Sequence, residues 1–311
     1  MDRFTTELLI LAVYLLLGPF LYVGIINRVK ALWCGRKGYP LLQLLHDVVK
    51  LLRKGEVFST TTTGVFIIAP VIAFGAVLFS ALVVPGPAGT SVLSFEGDYL
   101  FFAYALSLAK FAGIIGAMDT GSSFEGMGAS REASYTSLVE PAYMIVITTA
   151  VYATGFLSFQ DILMVIQGSK AWSLAAGVPI IAALVIMLLA EGCRVPVDDP
   201  KTHLELTMIH EVMVLDNSGP GLALVNYTAG LKLCVIGSLI ASVSIPVGIS
   251  GWLYAILFFA IVAATAVLVG IIESLNARVR MSHVPQFVFT MISGAVLVLS
   301  ISFLTIFGGA K

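Results

Sequence analysis

Charge is what this chain has least of. Only 11% of its 311 residues are Asp, Glu, Lys or Arg, while 59% are hydrophobic; an average soluble domain is roughly 25% charged. Such a chain cannot cover its surface with polar side chains, so its natural solvent is lipid. The formal net charge of -1 offers no basic field for nucleic acid, and no basic stripe is interleaved with stacking aromatics. Nucleic acid is thereby excluded as a partner. Cysteine is scarce as well: Cys34, Cys193 and Cys234 stand far apart, with no CxxC pair for zinc or an iron–sulfur cluster and no even-numbered disulfide framework. Any electron-carrying metal is expected on another chain. Gly-rich phosphate loops, catalytic triads and exposed paired-carboxylate signatures are also missing.

What the chain has is long apolar runs. A helix rising 1.5 Å per residue needs about 20 residues to cross a hydrocarbon core of about 30 Å. That ruler places spans at about Leu8 to Asn27, Val65 to Val84, Tyr99 to Met118, Thr136 to Phe156, Ala171 to Ala190, Tyr227 to Pro246, Trp252 to Ile272 and Gln286 to Phe307. The uncharged run from Leu233 to Ile272 divides in two at Pro246, Gly248 and Gly251. The expectation is an all-α integral membrane protein of about eight transmembrane helices, a single membrane domain over residues 1–311. The first apolar run is too long for a signal-peptide core and reads as a retained span.

Orientation follows from Lys and Arg in the short flanking loops. The loops after odd-numbered spans hold twelve, namely Arg28, Lys30, Arg36, Lys37, Lys50, Arg53, Lys54, Arg131, Arg194, Lys201, Arg278 and Arg280; the opposite side holds Arg3, Lys170 and Lys311. Both termini are expected outside, with cytoplasmic loops at about 28–64, 119–135, 191–226 and 273–285. In the first of these, Leu41, Leu44, Leu45, Val48 and Leu52 share one face at helical spacing and Gln43, Asp47, Lys50 and Lys54 another. This predicts an amphipathic helix lying on the membrane or under a partner.

Lys110, Glu140 and Lys232 fall within spans, where each costs roughly 2.5 to 3.5 kcal/mol at the bilayer centre if exposed to lipid. They must face protein or water. The expected orientation puts Lys110 near mid-depth and Glu140, Lys232 and the helix-end Glu191 in the cytoplasmic half, a layered polar path suited to proton relay or electrostatic coupling. Ion pairs that merely fix helix packing are the alternative. In the third cytoplasmic loop Glu191, Asp198, Asp199, Glu205, Glu211 and Asp216 face only Arg194 and Lys201 as bases, which makes a negative cluster or, alternatively, a solvated charged loop. His203 and His210 share a helix face and suit proton transfer near neutral pH; with Cys193 they fit no usual metal pattern. His46 and His283 read as surface residues. Asp119 and Thr120 read as a helix stop and turn, and Arg131 as an interfacial charge orienting the fourth span.

The segment AMDTGSSFEGMGASREASYTSLVEP, Ala117 to Pro141, closely resembles the formate hydrogenlyase subunit 4 and hydrogenase-4 membrane-anchor family, itself related to subunit 1 of respiratory complex I. In the first loop Arg36, Gly38, Pro40, Leu42, Gln43, Asp47, Lys50 and Leu51 are similar to that family's pattern, and Glu191, Arg194, Pro196, Asp198 and Glu205 match the acidic loop of complex I subunit 1. Asp199 stands where complex I has a leucine, and GASREA replaces the complex I form. These departures favour the hydrogenase branch and make quinone binding doubtful.

The resemblance implies a non-catalytic subunit in a prokaryotic plasma membrane that holds the large and small subunits of a [NiFe]-hydrogenase against antiporter-like membrane subunits. The [NiFe] centre and iron–sulfur clusters belong to those partners, and this chain carries no cofactor. It further implies a proton path or coupling element through Glu140, Glu191, Asp198, Glu205, Lys110 and Lys232, and partner docking through Arg36, Gln43, Asp47, Lys50, Asp119, Arg131 and Arg194. A quinone-chamber subunit of an NADH dehydrogenase and a stand-alone secondary transporter are the competing readings.

Overall fold

A computed structural model of the protein describes residues 3–168, 177–198, 208–246, 248–249, 251–277 and 283–308. Among the described residues the structure is all-helical, with no strand. Chain order gives α1 (Arg3–Trp33), α2 (Gln43–Leu52), α3 (Gly64–Val83), α4 (Asp98–Asp119), α5 (Ser123–Thr154), α6 (Phe159–Gly168), α7 (Gly177–Glu191), α8 (His210–Met213), α9 (Gly219–Ser244), α10 (Trp252–Leu275) and α11 (Val284–Gly308). Six of these, α1, α3, α4, α5, α9 and α10, are long and apolar enough to cross a membrane. The shorter apolar α7 and the apolar part of α11 complete a set of eight. The protein is a multi-pass membrane protein.

Helix α9 is the centre of the bundle and packs against α1, α2, α3, α7 and α10. Its run from Leu231 to Val243 is almost continuously buried, as expected of a helix that touches protein on every side and presents no stripe to lipid. Around it the pairs α3–α4, α1–α10 and α5–α11 lie side by side, and α11 also covers α7. By contrast α3 and α10 expose bulky side chains such as Ile67, Ile68, Val71, Ile256 and Phe259. Lipid replaces water as their neighbour, so this exposure carries no penalty.

The ends of the helices follow from local chemistry. Thr63 Oγ1 accepts from Val65 N at 3.3 Å and caps α3. Gly155, at φ 75°, ends α5 in the left-handed region that glycine adopts without strain. The amphipathic segment forms α2, with Leu44, Leu45, Val48 and Leu51 packed on Phe20 of α1 and on Ala223 and Tyr227 of α9. Two boundaries differ from the sequence expectation. The interval 119–135, expected as a loop, is mostly the first three turns of α5, because α5 begins at Ser123 and runs 32 residues. Residues Gly192 to Asp198, expected in a cytoplasmic loop, are instead packed into the bundle, with Arg194, Val195, Val197 and Asp198 all buried.

Candidate functional site

The site lies where α7, described from Gly177, ends at Glu191. The turn that follows is tight. A Cβ on Gly192 would lie 2.3 Å from a Leu233 methyl and 2.8 Å from the Leu188 carbonyl, so only glycine lets α7 close this tightly on α9. Cys193 then takes a positive φ of 48°, and the chain turns back into the protein. Glu191 is thereby delivered to the interior, where it is 4% exposed.

Two lysines meet it there. Lys110 Nζ of α4 lies 2.6 Å from Glu191 Oε1, and Lys232 Nζ of α9 lies 3.7 Å from Oε2. One carboxylate between two ammonium groups satisfies the rule that charge at membrane depth is paired inside protein. The layered path expected from the sequence set Lys110 apart from Glu191 and Lys232; the charged ends of all three meet directly.

Glu191 also lines two cavities. One of about 100 Å³ has Lys110, Lys232, Glu132 and His210 on its wall, with apolar groups such as Phe66 and Met213. Glu132 is buried there, and its Oε2 has no hydrogen-bond partner among the described residues. The other, about 10 Å³, is bounded by Glu140, Ser107 and Tyr143 as well as Glu191. Glu140, Glu191 and Glu132 therefore form a series of acids separated by small voids, with the lysines beside the middle member.

A second acid–base triad lies three residues further along the chain. Glu273 of α10, its side chain fully buried, is 2.6 Å from Lys30 Nζ of α1 and 3.4 Å from Arg194 Nη1. The segment Glu191 to Arg194 thus ties one triad to the other.

The remaining expected residues divide into two groups. Asp198 accepts from the backbone N–H groups of Ile209 and His210 at 3.1 and 3.0 Å, Arg131 Nη1 donates to the Met208 carbonyl at 2.9 Å, and Asp119 accepts from Thr63 N, Thr63 Oγ1 and Phe66 N at 2.7, 2.8 and 3.2 Å. With Arg194, these residues make contacts within the chain. Arg36, Gln43, Asp47 and Lys50 are on the surface of the first loop and α2, where Gln43 donates to Asp47 at 2.9 Å. Glu205, together with Asp199, Lys201 and His203, lies outside the described residues. Among the described residues no three His, Cys, Asp or Glu side chains are placed to hold a metal ion.

Sequence reasoning missed Glu125, Glu132, Lys30 and Glu273. Glu125 and Glu132 are seven apart, one face of a helix, and both are buried; the signal was present but fell in an interval taken as loop. Glu125 accepts from Asp216 N at 2.8 Å. Lys30 and Glu273 stand near span ends, and nothing in the linear sequence says that the two ends meet.

A bundle of apolar helices with a buried, charge-paired polar core defines a membrane-embedded protein. The chain belongs to the NADH dehydrogenase family, whose model matches residues 6–304. It is similar to formate hydrogenlyase subunit 4 of Escherichia coli (strain K12), 29% identical over 85% of this chain and 87% of that one. Hydrogenase-4 component C of the same organism is 28% identical over 76% and 74%. One subunit of the NADH-quinone oxidoreductase of Pelagibacter ubique is 25% identical over 80% and 74%. The fold is shared with a chain of the membrane-bound sulfane sulfur reductase, an archaeal respiratory membrane complex, at a TM-score of 0.83, 20% identity and coverage of 96% and 99%. The relatives are parts of multisubunit respiratory membrane complexes.

Proposed function

We propose that this chain is the membrane-anchor and coupling subunit of an energy-converting hydrogenase or formate hydrogenlyase-like complex in a prokaryotic plasma membrane, with both termini outside. It docks a soluble [NiFe]-hydrogenase arm on the face that carries Arg36, Gln43 and Asp47, and links redox chemistry there to movement of protons or sodium ions through antiporter-like membrane subunits. The [NiFe] centre and iron–sulfur clusters reside in the partners. The observation that carries the reading is Glu191, held between Lys110 and Lys232 and bordering both cavities.

The physical logic is electrostatic. A charge change beside the docking face shifts the balance among Glu132, Glu191 and the two lysines, because Coulomb interactions are several-fold stronger in a poorly hydrated interior than in water. Glu140 is the next acid beyond Glu191. Arg194 transmits the same change to Glu273 through the shared segment. The cavity of about 100 Å³ is well under the roughly 300 Å³ at which small-molecule pockets begin, which favours charge transfer over a quinone bound within this chain alone.

The test begins with a tagged chain purified from membranes in mild detergent and assayed for nickel and hydrogen-dependent viologen reduction. Co-purification of both supports the anchor reading, and an intact complex with flavin and quinone but no nickel overturns it in favour of the NADH dehydrogenase alternative. Glu191→Gln is then reconstituted in vesicles. Viologen reduction retained with ion uptake lost supports coupling; equal loss of both points to a packing role for the ion pairs.

A further inference from the structure

Helix α5 buries two acids on one face. Glu125 and Glu132 are seven residues apart, about 10 Å along the axis at 1.5 Å per residue, and they are 0% and 3% exposed. In each of them Oε2 has no hydrogen-bond partner among the described residues. Buried polar oxygens are nearly always hydrogen-bonded, so two orphaned ones on a single helix face call for an explanation.

Glu125 lies just beneath the surface. Its Oε1 accepts from Asp216 N at 2.8 Å; Asp216 is exposed, as are Gly121, Ser123 and Phe124. The Asp216 carboxylate and the Thr120 hydroxyl are the side-chain groups that act on Glu125. Both neighbours lead to the cavity of about 100 Å³ whose wall carries Glu132, Lys110, Glu191, Cys193 and His210. Asn217, the residue after Asp216, lines that cavity, and Thr120 Oγ1 donates at 2.8 Å to the carbonyl of Ala117, which lines it too. Between the two acids the face of α5 carries Gly128 and Ala129, packed against Val212 and Met213 of α8. Met213 also borders the cavity, so a single layer of side chains stands between Glu125 and that space.

We propose that Glu125 is a proton-entry group: it takes a proton from water at the surface beside Asp216 and passes it, through water in the cavity, to Oε2 of Glu132, returning to the carboxylate. The step moves one proton and no electrons. The cavity has polar walls and room for such water, which needs about 10–15 Å³ a molecule. Lys110 and Glu191 share the wall with the receiving acid, so the arriving proton changes the charge beside their ion pair. The inference rests on the reading of Glu132 and Glu191 as a charge-handling series, and it supplies the end at which that series meets the surface. A purely structural Glu125 would only hold Asp216 N in place. Glu125→Gln separates the two roles, because its amide oxygen still accepts from Asp216 N while the group can no longer carry a proton.

The purified full chain, with whatever subunits accompany it, is subjected to a rapid drop in external pH and followed by time-resolved infrared spectroscopy. The carboxylic-acid carbonyl band of Glu132 is identified as the one missing from Glu132→Gln. Its appearance is expected to slow roughly a hundredfold in Glu125→Gln, the contribution typical of a positioned proton-transfer group, and to recover in Glu125→Asp, with the unfolding temperature of the Gln variant unchanged. If Glu125→Gln does not fold, Glu125→Asp against Glu125→Asn poses the same question with matched side chains. An unaltered rate in the variant that cannot carry a proton overturns the proposal, and so does a Glu132 band in the parent that ignores external pH. The measurement requires no ion uptake. Uptake lost in Glu191→Gln with an unaltered rate in Glu125→Gln keeps the coupling reading and removes this one; a slowed rate with uptake intact in Glu191→Gln does the reverse.

Discussion

Lys110 and Glu191 meet at 2.6 Å, one from the interior of α4 and the other from the last residue of α7. Neither has bulk water as an alternative partner, because both are almost fully buried. Removing one half of such a pair leaves an uncompensated charge at a cost of about 3–5 kcal/mol, while replacing both by neutral groups of similar size is far less costly.

Lys110→Met and Glu191→Gln should therefore each lower the unfolding temperature of the purified protein, and the double variant should be more stable than the sum of the two effects implies. Simple additivity in a thermal unfolding series would show that the pair contributes no coupling energy.

Glu140 is half-buried and borders the small cavity shared with Glu191, and no ion pair holds it among the described residues. Glu140→Gln should leave the unfolding temperature nearly unchanged. If the residue relays protons, ion uptake in vesicles should drop roughly a hundredfold or more, the contribution typical of a positioned proton-transfer group. Unaltered uptake removes Glu140 from the path.

Asp119 illustrates a role that is structural in the first instance. Its two oxygens accept three hydrogen bonds at the start of α3, joining the end of α4 to the beginning of α3. Asp119→Ala should cost about 1–2 kcal/mol, the range for a helix cap, and Asp119→Asn less. Denaturation curves compare the two; an alanine variant as stable as the parent would show that the cap is dispensable.

At Gly24 any side chain must displace the Leu41 carbonyl. Gly24→Ala should cost about 1–3 kcal/mol through overpacking and loosen the connection between α1 and α2. Limited proteolysis should then cut the segment around Tyr39 faster than in the parent protein. An unchanged cleavage rate would mean that the connection relaxes without loss.

Cys34 is exposed at the turn after α1, whereas Cys234 is buried in α9. A membrane-impermeant maleimide should label Cys34 only from the side to which the docking face belongs, and Cys234 only after denaturation. Labelling of Cys34 in right-side-out vesicles would reverse the orientation inferred from Lys and Arg.

Hydropathy alone was enough for α3 and α10, since both are almost wholly apolar along their length and the sequence states that directly. The amphipathic α2 was legible in part: Leu44, Leu45 and Val48 of the expected apolar face pack inward, while Leu41 and Leu52 are exposed and Leu51 takes the inner place. The start of α5 was not, because Ser123 to Arg131 is polar and glycine-rich and reads locally as a loop. Burial against α8 and α4 sustains that helix, and such support is invisible in a window of sequence. The same blindness hid Glu132, whose carboxylate faces the cavity.

The amino-acid sequence by itself determined that this protein lives in lipid, roughly where it crosses, and that Lys110, Glu140 and Lys232 must turn away from hydrocarbon; these follow from transfer free energies, which depend on each residue alone. Only the tertiary structure decided which charges meet. Glu191 pairs with Lys110 and Lys232, and Glu273 with Lys30 and Arg194, because α7 ends at Glu191 and a tight turn at Gly192 carries the chain back inside. Pairing over a few ångströms depends on where separate helices stop and cross, and no single stretch of sequence holds that information.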